Sequence, residues 1–115
     1  MQPTAIKLLQ QSHILEVSFE DGAQFSFPCE YLRVYSPSAE VRGHGIGDGV
    51  LVLSKQNVNI VQIEPVGNYA VRLIFDDGHN TGIYSWQILY KLGIEQTANW
   101  QRYLQRVADS KSRVD

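Results

Sequence analysis

The chain has little sulfur to work with: Cys29 is the single cysteine among 115 residues. One thiol excludes a disulfide within the chain, and it excludes any zinc site that needs two or more thiolates from it. No apolar run approaches the roughly 20 residues of a membrane-spanning helix. The opening Met1-Gln2-Pro3-Thr4 has neither the basic stretch nor the apolar core of a secretory signal. Charge of one sign is also missing. Ten Lys+Arg face twelve Asp+Glu, a net charge of -2, which argues against a basic surface for nucleic acid. What is present is 43% hydrophobic and 19% charged residues, the make-up of an ordinary globular domain. A chain of this length buries a core without staples. These balances predict one soluble, cytoplasmic domain over 1–115, with no membrane and no nucleic-acid partner; oligomeric state is left open.

Local patterning is mostly that of strands. Leu15, Val17 and Phe19 alternate with Glu16, Ser18 and Glu20, the period of a half-buried strand. Asp21-Gly22 reads as a hairpin turn, and Phe25 and Phe27 restart the alternation. Pro28 suits the start of a short helix through Tyr31 and Leu32, since a first turn leaves its N–H groups unpaired anyway. From Ser36 to Gly49 there is no apolar periodicity and there are four glycines, which predicts a surface loop. At around 14 residues it has a length at which structureless loops are functional or disordered, and Gly45 to Gly49 should be its more mobile part.

Alternation returns at Val58, Ile60, Val61 and Ile63, and Pro65-Val66-Gly67-Asn68 makes a turn. Tyr69, Val71, Leu73 and Phe75 form the clearest strand, which Asp77-Gly78 turns back toward Thr81–Tyr84. Ser85 is a good N-cap for a helix carrying Trp86, Leu89, Tyr90 and Leu92, with Gly93 as its left-handed closing residue. A last helix, about 96–109, puts Trp100, Tyr103, Leu104 and Val107 on one inward face, and the tail from Ser110 should fray.

Phe75-Asp76-Asp77-Gly78 lies 56 positions after Phe19-Glu20-Asp21-Gly22, and each stands between an alternating strand and a short strand that leads into a helix. Two hairpins sharing one turn chemistry would give this, and so would duplication of a strand–turn–strand–helix unit. Either way the fold class is α+β: an antiparallel β-sheet built from two hairpins with a short helix after each, plus a C-terminal helix. The core should span about 6–93.

Two longer segments are distinctive: Glu30-Tyr31-Leu32-Arg33-Val34-Tyr35-Ser36-Pro37-Ser38-Ala39-Glu40-Val41-Arg42-Gly43-His44-Gly45 and Phe75-Asp76-Asp77-Gly78-His79-Asn80-Thr81-Gly82-Ile83-Tyr84-Ser85-Trp86. They strongly resemble the stand-alone bacterial form of the DUF971 family, the gamma-butyrobetaine hydroxylase-like N-terminal domain, from about Ile6 to Gly93. The resemblance implies a small α+β domain. In eukaryotic relatives it precedes the oxygenase domain of carnitine-biosynthesis hydroxylases, and in plastids it is joined to a P-loop iron–sulfur carrier. The hydroxylase form holds a structural zinc through three cysteines and a histidine. On this chain those positions fall on Ser36, Ser38, Val41 and His79, so His79 is the one ligand retained. A serine hydroxyl stays protonated near neutral pH and valine has no donor, so no metal and no cofactor are expected. The iron-binding facial triad of the hydroxylases belongs to a second domain outside this sequence, so oxygenase activity does not carry over.

Other candidates are weaker. The Gly43–Gly49 run lacks the Gly-Lys-Ser/Thr ending of a phosphate loop and leads into a strand. Cys29 sits where a helix N-terminus would lower a thiol pKa, but no partner for nucleophilic chemistry is in view, and a buried apolar role suits it better. His13 looks like an exposed residue at a strand start, and Trp86 and Trp100 look like core. The sequence therefore favours a non-enzymatic binding or adaptor domain that docks another protein. Its candidate surface is Arg33, Ser36, Ser38, Glu40, Arg42, His44, Asp77 and His79. The resemblance points the partner toward metallocofactor (iron–sulfur) biogenesis or a separate oxygenase. The alternative is a small metal-binding protein or enzyme using His44, His79 and nearby carboxylates such as Glu40 and Asp77.

Overall fold

The computed structural model describes residues 1–42 and 49–112. Strands β1 (Pro3–Leu9), β2 (Ile14–Phe19) and β3 (Gln24–Pro28) lead into helix α1 (Cys29–Val34) and the one-turn α2 (Ala39–Arg42). Strands β4 (Ile60–Val66), β5 (Ala70–Phe75) and β6 (Ile83–Ser85) lead into α3 (Trp86–Ile94), and α4 (Gln96–Ser112) ends the chain. The fold is α+β, with two antiparallel sheets ordered β1-β2-β3 and β4-β5-β6. Each predicted hairpin is thus two strands of a three-stranded sheet, β2-β3 and β5-β6. Strand β1 escaped the sequence reading because Ile6, Leu8 and Leu9 are only half-buried on an outer strand, so its pattern is weak.

Alternation on the central strands does what its period implies. Leu15, Val17 and Phe19 of β2 and Val71, Leu73 and Phe75 of β5 are all buried, and they share one core with Phe27, Leu32, Tyr84 and Leu89. Two tyrosines tie the halves together inside it. The Tyr31 hydroxyl of α1 donates to Leu92 O of α3 at 2.6 Å, and the Tyr84 hydroxyl of β6 donates to Leu32 O of α1 at 2.5 Å. At the rim, Asn59 Nδ2 donates to Gln10 O at 2.9 Å and Gln10 Nε2 donates to Ile60 O at 3.2 Å. His13 joins this seam rather than standing exposed: it is half-buried, has φ 56°, and its Nδ1 donates to Val58 O at 3.0 Å. Cys29 is fully buried and burial pushes its thiol pKa up, which leaves it a small hydrophobe.

Several expectations are corrected. Gly93 does not close α3; it lies inside the helix, and Glu95 is the C-cap. Its glycine is needed for packing, because a Cβ there would come within 2.5 Å of the Phe25 ring. Leu104 is not inward: it is 50% exposed, and α4 turns Asn99 and Tyr103 to the interior instead. Polar anchors set that rotation. Asn99 Nδ2 donates to the Tyr31 hydroxyl, the Tyr103 hydroxyl to Val52 O and Arg106 Nη2 to Gly49 O. Tyr69 precedes β5 and is exposed, and β4 runs on through Pro65 to Val66, where an outer strand tolerates a residue with no N–H. The segment after Ser36 is not wholly irregular, since α2 occupies part of it. His44 and the glycines at 43, 45 and 47 lie outside the described residues.

Candidate functional site

Between α1 and α2 the chain carries Ser36-Pro37-Ser38 against Thr81 and Gly82, just before β6. Ser36 is fully buried and Ser38 nearly so, and each hydroxyl has a backbone task. Ser36 Oγ accepts from Ser38 N at 3.2 Å, and Ser38 Oγ accepts from Glu40 N at 3.2 Å. These bonds close the turn that starts α2, as short polar side chains do. The Ser36 seat exists because residue 82 is glycine: a Cβ there would stand 2.6 Å from Ser36 Oγ.

The hairpin turn between β5 and β6 meets this segment. Asp77 Oδ1 accepts from His79 N at 3.1 Å, which holds the histidine over the serines. Ser36 Oγ lies 2.8 Å from His79 Nε2, and Glu40 Oε2 lies 3.2 Å from Nδ1. A carboxylate only accepts, so Nδ1 carries the proton and Nε2 accepts from the Ser36 hydroxyl. The His79 side chain is 2% exposed; burial, then Arg33, lowers its pKa, while Glu40 and Asp77 oppose this. Neutral imidazole suits the bonds it makes. Ser38 Oγ also shares a proton with Thr81 Oγ1 at 2.6 Å.

Asp77 carries the second load. Its Oδ2 takes Arg33 Nε and Lys55 Nζ, each at 2.7 Å. Burial pushes its pKa up, but the bonds from Lys55, Arg33 and His79 N outweigh this and bring it down to about 2. Arg33 Nη1 is buried with no hydrogen-bond partner among the described residues. Arg33, Ser36, Ser38, Glu40, Asp77 and His79 therefore form one connected network. Arg42 is not part of those bonds and sits half-buried at the end of α2. The sequence reading missed Lys55, Thr81 and Gly82. Thr81 and Gly82 lie inside the Asp-Gly-His motif, which was their one signal; Lys55 is in an irregular segment and gave none.

Serine to imidazole to carboxylate is also the connectivity of a nucleophile relay. Here Ser36 is 0% exposed, and its hydroxyl joins the loop to the turn.

The family profile described as gamma-butyrobetaine hydroxylase-like, N-terminal, matches residues 6–90, which include every residue of this network. The chain belongs to that family. Three solved structures resemble this DUF971 domain. One solution NMR structure is 56% identical with a TM-score of 0.82, covering 96% of this chain and 82% of that one. A second is 42% identical with a TM-score of 0.83, over 96% and 86% of the two chains. The third is a crystal structure of a DUF971-family protein of unknown function from Acidithiobacillus ferrooxidans. It is 40% identical with a TM-score of 0.67, over 80% and 92%. No curated protein matches.

Family zinc can be tested against these residues. Positions 36, 38 and 79 do converge, and Val41 N donates to Ser38 O at 3.0 Å, so all four lie on one bonded framework. The donors are wrong for the ion. Two hydroxyls and a valine replace thiolates, and both imidazole nitrogens of His79 are engaged. Among the described residues no three His, Cys, Asp or Glu side chains converge as metal ligands. Hydrogen bonds join the loop to the Asp-Gly-His turn at the positions where the resemblance implies the hydroxylase zinc.

Proposed function

We propose that this DUF971 domain is a non-enzymatic binding module, with the 36–42 segment and the Asp77-Gly78-His79 turn as one docking surface for another protein. The observation that carries this reading is the bracing of that segment. Ser36, Ser38 and His79 are buried beneath it, while the Glu40 side chain stays 63% exposed above them. Ordering a loop costs backbone entropy, and a loop held this firmly offers a partner a surface already in shape. The family resemblance suggests the partner's class: a component of metallocofactor assembly, or an oxygenase encoded apart from this domain.

The test is a photo-crosslinking residue at position 40, used in the host cell. A specific adduct to an iron–sulfur carrier or oxygenase supports the reading, provided that Arg42→Ala combined with His44→Ala abolishes it without changing the unfolding midpoint. The absence of a specific adduct at position 40 overturns the reading, and an adduct that survives the double substitution takes Arg42 and His44 out of the docking surface.

A further inference from the structure

A groove of about 380 Å³ runs between the end of β3, α1 and the first half of α4. That volume lies in the range of small-molecule sites, roughly 300–1,000 Å³. Pro28, Tyr31, Trp100 and Leu104 give it apolar walls, and Thr97 and Gln101 add neutral polar groups. None of its lining residues carries a charge, although 19% of the chain is charged. An ion placed there would give up water and gain no counter-charge, whereas a neutral molecule has no such loss.

The fold itself sets the walls. The Tyr31 hydroxyl donates to Leu92 O at 2.6 Å and accepts from Asn99 Nδ2 at 3.1 Å. Trp100 stacks on Tyr103 with ring centroids 4.9 Å apart, and it meets Tyr31 edge to face at 6.2 Å. Gln96, which also lines the groove, is tied through Nε2 to Ser26 O at 3.3 Å. Two features of the lining are left unused. Leu104 is 50% exposed and lies outside the core. The Trp100 indole N–H and the side chains of Thr97 and Gln101 make no hydrogen bond among the described residues. Aromatic walls favour a ring, which packs against them edge-on or offset. An idle indole N–H can only donate, so it favours a carbonyl, and the Gln101 amide matches another amide. We infer that this groove binds a small uncharged aromatic molecule bearing a carboxamide group. The site uses no residue of the docking surface and goes beyond that reading.

The probes are benzamide, benzoate, benzylamine and toluene, each titrated into the full chain and followed by backbone amide and indole N–H chemical shifts. Benzamide should give saturable shifts clustered on Tyr31, Thr97, Trp100 and Gln101, including the Trp100 indole N–H. The Trp86 indole N–H, already bonded to Asn68 O at 2.9 Å, should stay where it is. Benzoate, the benzylammonium ion and toluene should each bind more weakly at the same place. Equal or tighter binding of any of these three overturns the inference, as do benzamide shifts that scatter or never saturate. Leu104→Ala should weaken benzamide roughly threefold or more and leave the unfolding midpoint nearly unchanged, while Leu104→Met preserves the affinity. Affinity untouched by Leu104→Ala overturns the inference too. The crosslink at position 40 should be indifferent to Leu104→Ala, so the two readings fail separately.

Discussion

The turns at Asp21 and Asp77 are copies in backbone and opposites in use. Gly22 N donates to Phe19 O and Gly78 N to Phe75 O, with φ of 91° and 90° at the two glycines. Asp21 Oδ1 accepts from Ala23 N at 2.9 Å, and Asp77 Oδ1 from His79 N at 3.1 Å. The likeness continues into the helices: Cys29 N donates to His13 O, and Trp86 N to Tyr69 O. The two units match in the turn and in the entry to the helix, with one extra residue before β6, since Leu15 pairs with Phe27 whereas Val71, 56 positions on, pairs with Tyr84, 57 positions on. What differs is the second carboxylate oxygen and the residue after glycine. Asp21 Oδ2 takes the Tyr90 hydroxyl, whereas Asp77 Oδ2 takes Arg33 and Lys55. Ala23 stands where the other turn has His79. The backbone makes the turn; the side chains around it make one of the two a site.

Core substitutions probe that equivalence most strongly. Phe19→Ala and Phe75→Ala should each lose about 3–5 kcal/mol in denaturant unfolding. A loss under about 1 kcal/mol at either would separate the two sheets energetically. The turns should then part company. Asp77→Ala should cost about 1.5–3 kcal/mol, as loss of charged hydrogen bonds does, and Asp21→Ala clearly less; equal losses would remove the distinction. Because Asp77 is lowered from 3.8 to about 2, its contribution is complete above pH 3.8 and disappears as pH falls through about 2.

A gentler probe is the histidine. Its folded pKa is below 6.5, so the folded state takes up a proton less readily than the unfolded chain. Stability from His79 is complete above about pH 6.5 and declines as pH falls below it. Chemical denaturation across this range should show a slope that His79→Asn flattens; an unchanged slope would assign the titration to other groups. Leu104→Ala, on the exposed side of α4, should change stability by less than about 1 kcal/mol, and a core-sized loss would restore it to the interior. Smallest of all is the metal effect. The purified protein should contain no stoichiometric zinc or iron, and near-unity metal that vanishes in His79→Ala would refute the reading of Ser36, Ser38 and Val41.

The parts legible in the sequence were those with a local signature. Strands β2 and β5 bury one face, so period two is written plainly in Leu15-Val17-Phe19 and Val71-Leu73-Phe75. Ser85 caps α3 as its residue type suggests, accepting from Ile88 N at 3.1 Å. The contact of the serines with His79 was legible through the family register alone, since 43 residues separate Ser36 from its partner. Lys55 on Asp77 and Phe25 over Gly93 are long-range pairings with no periodic trace. Leu104 is hydrophobic and in phase with Trp100, which points it inward by pattern, whereas buried Asn99 and the hydroxyl of Tyr103 set the rotation of α4.

The exchanged tyrosines have a consequence for how the molecule opens. Tyr31 bonds to a carbonyl in the helix after the second sheet, and Tyr84 to one in the helix after the first. If either half came apart alone, the other would keep a phenol or a carbonyl stripped of its partner in a dry interior, at about 1–3 kcal/mol for each group. That penalty adds to the exposed core and couples the two sheets. Amide protons of β2 and β5 should therefore share one slowest exchange limit, set by unfolding of the whole chain. A protease that waits for a strand to loosen would find both halves open together or neither.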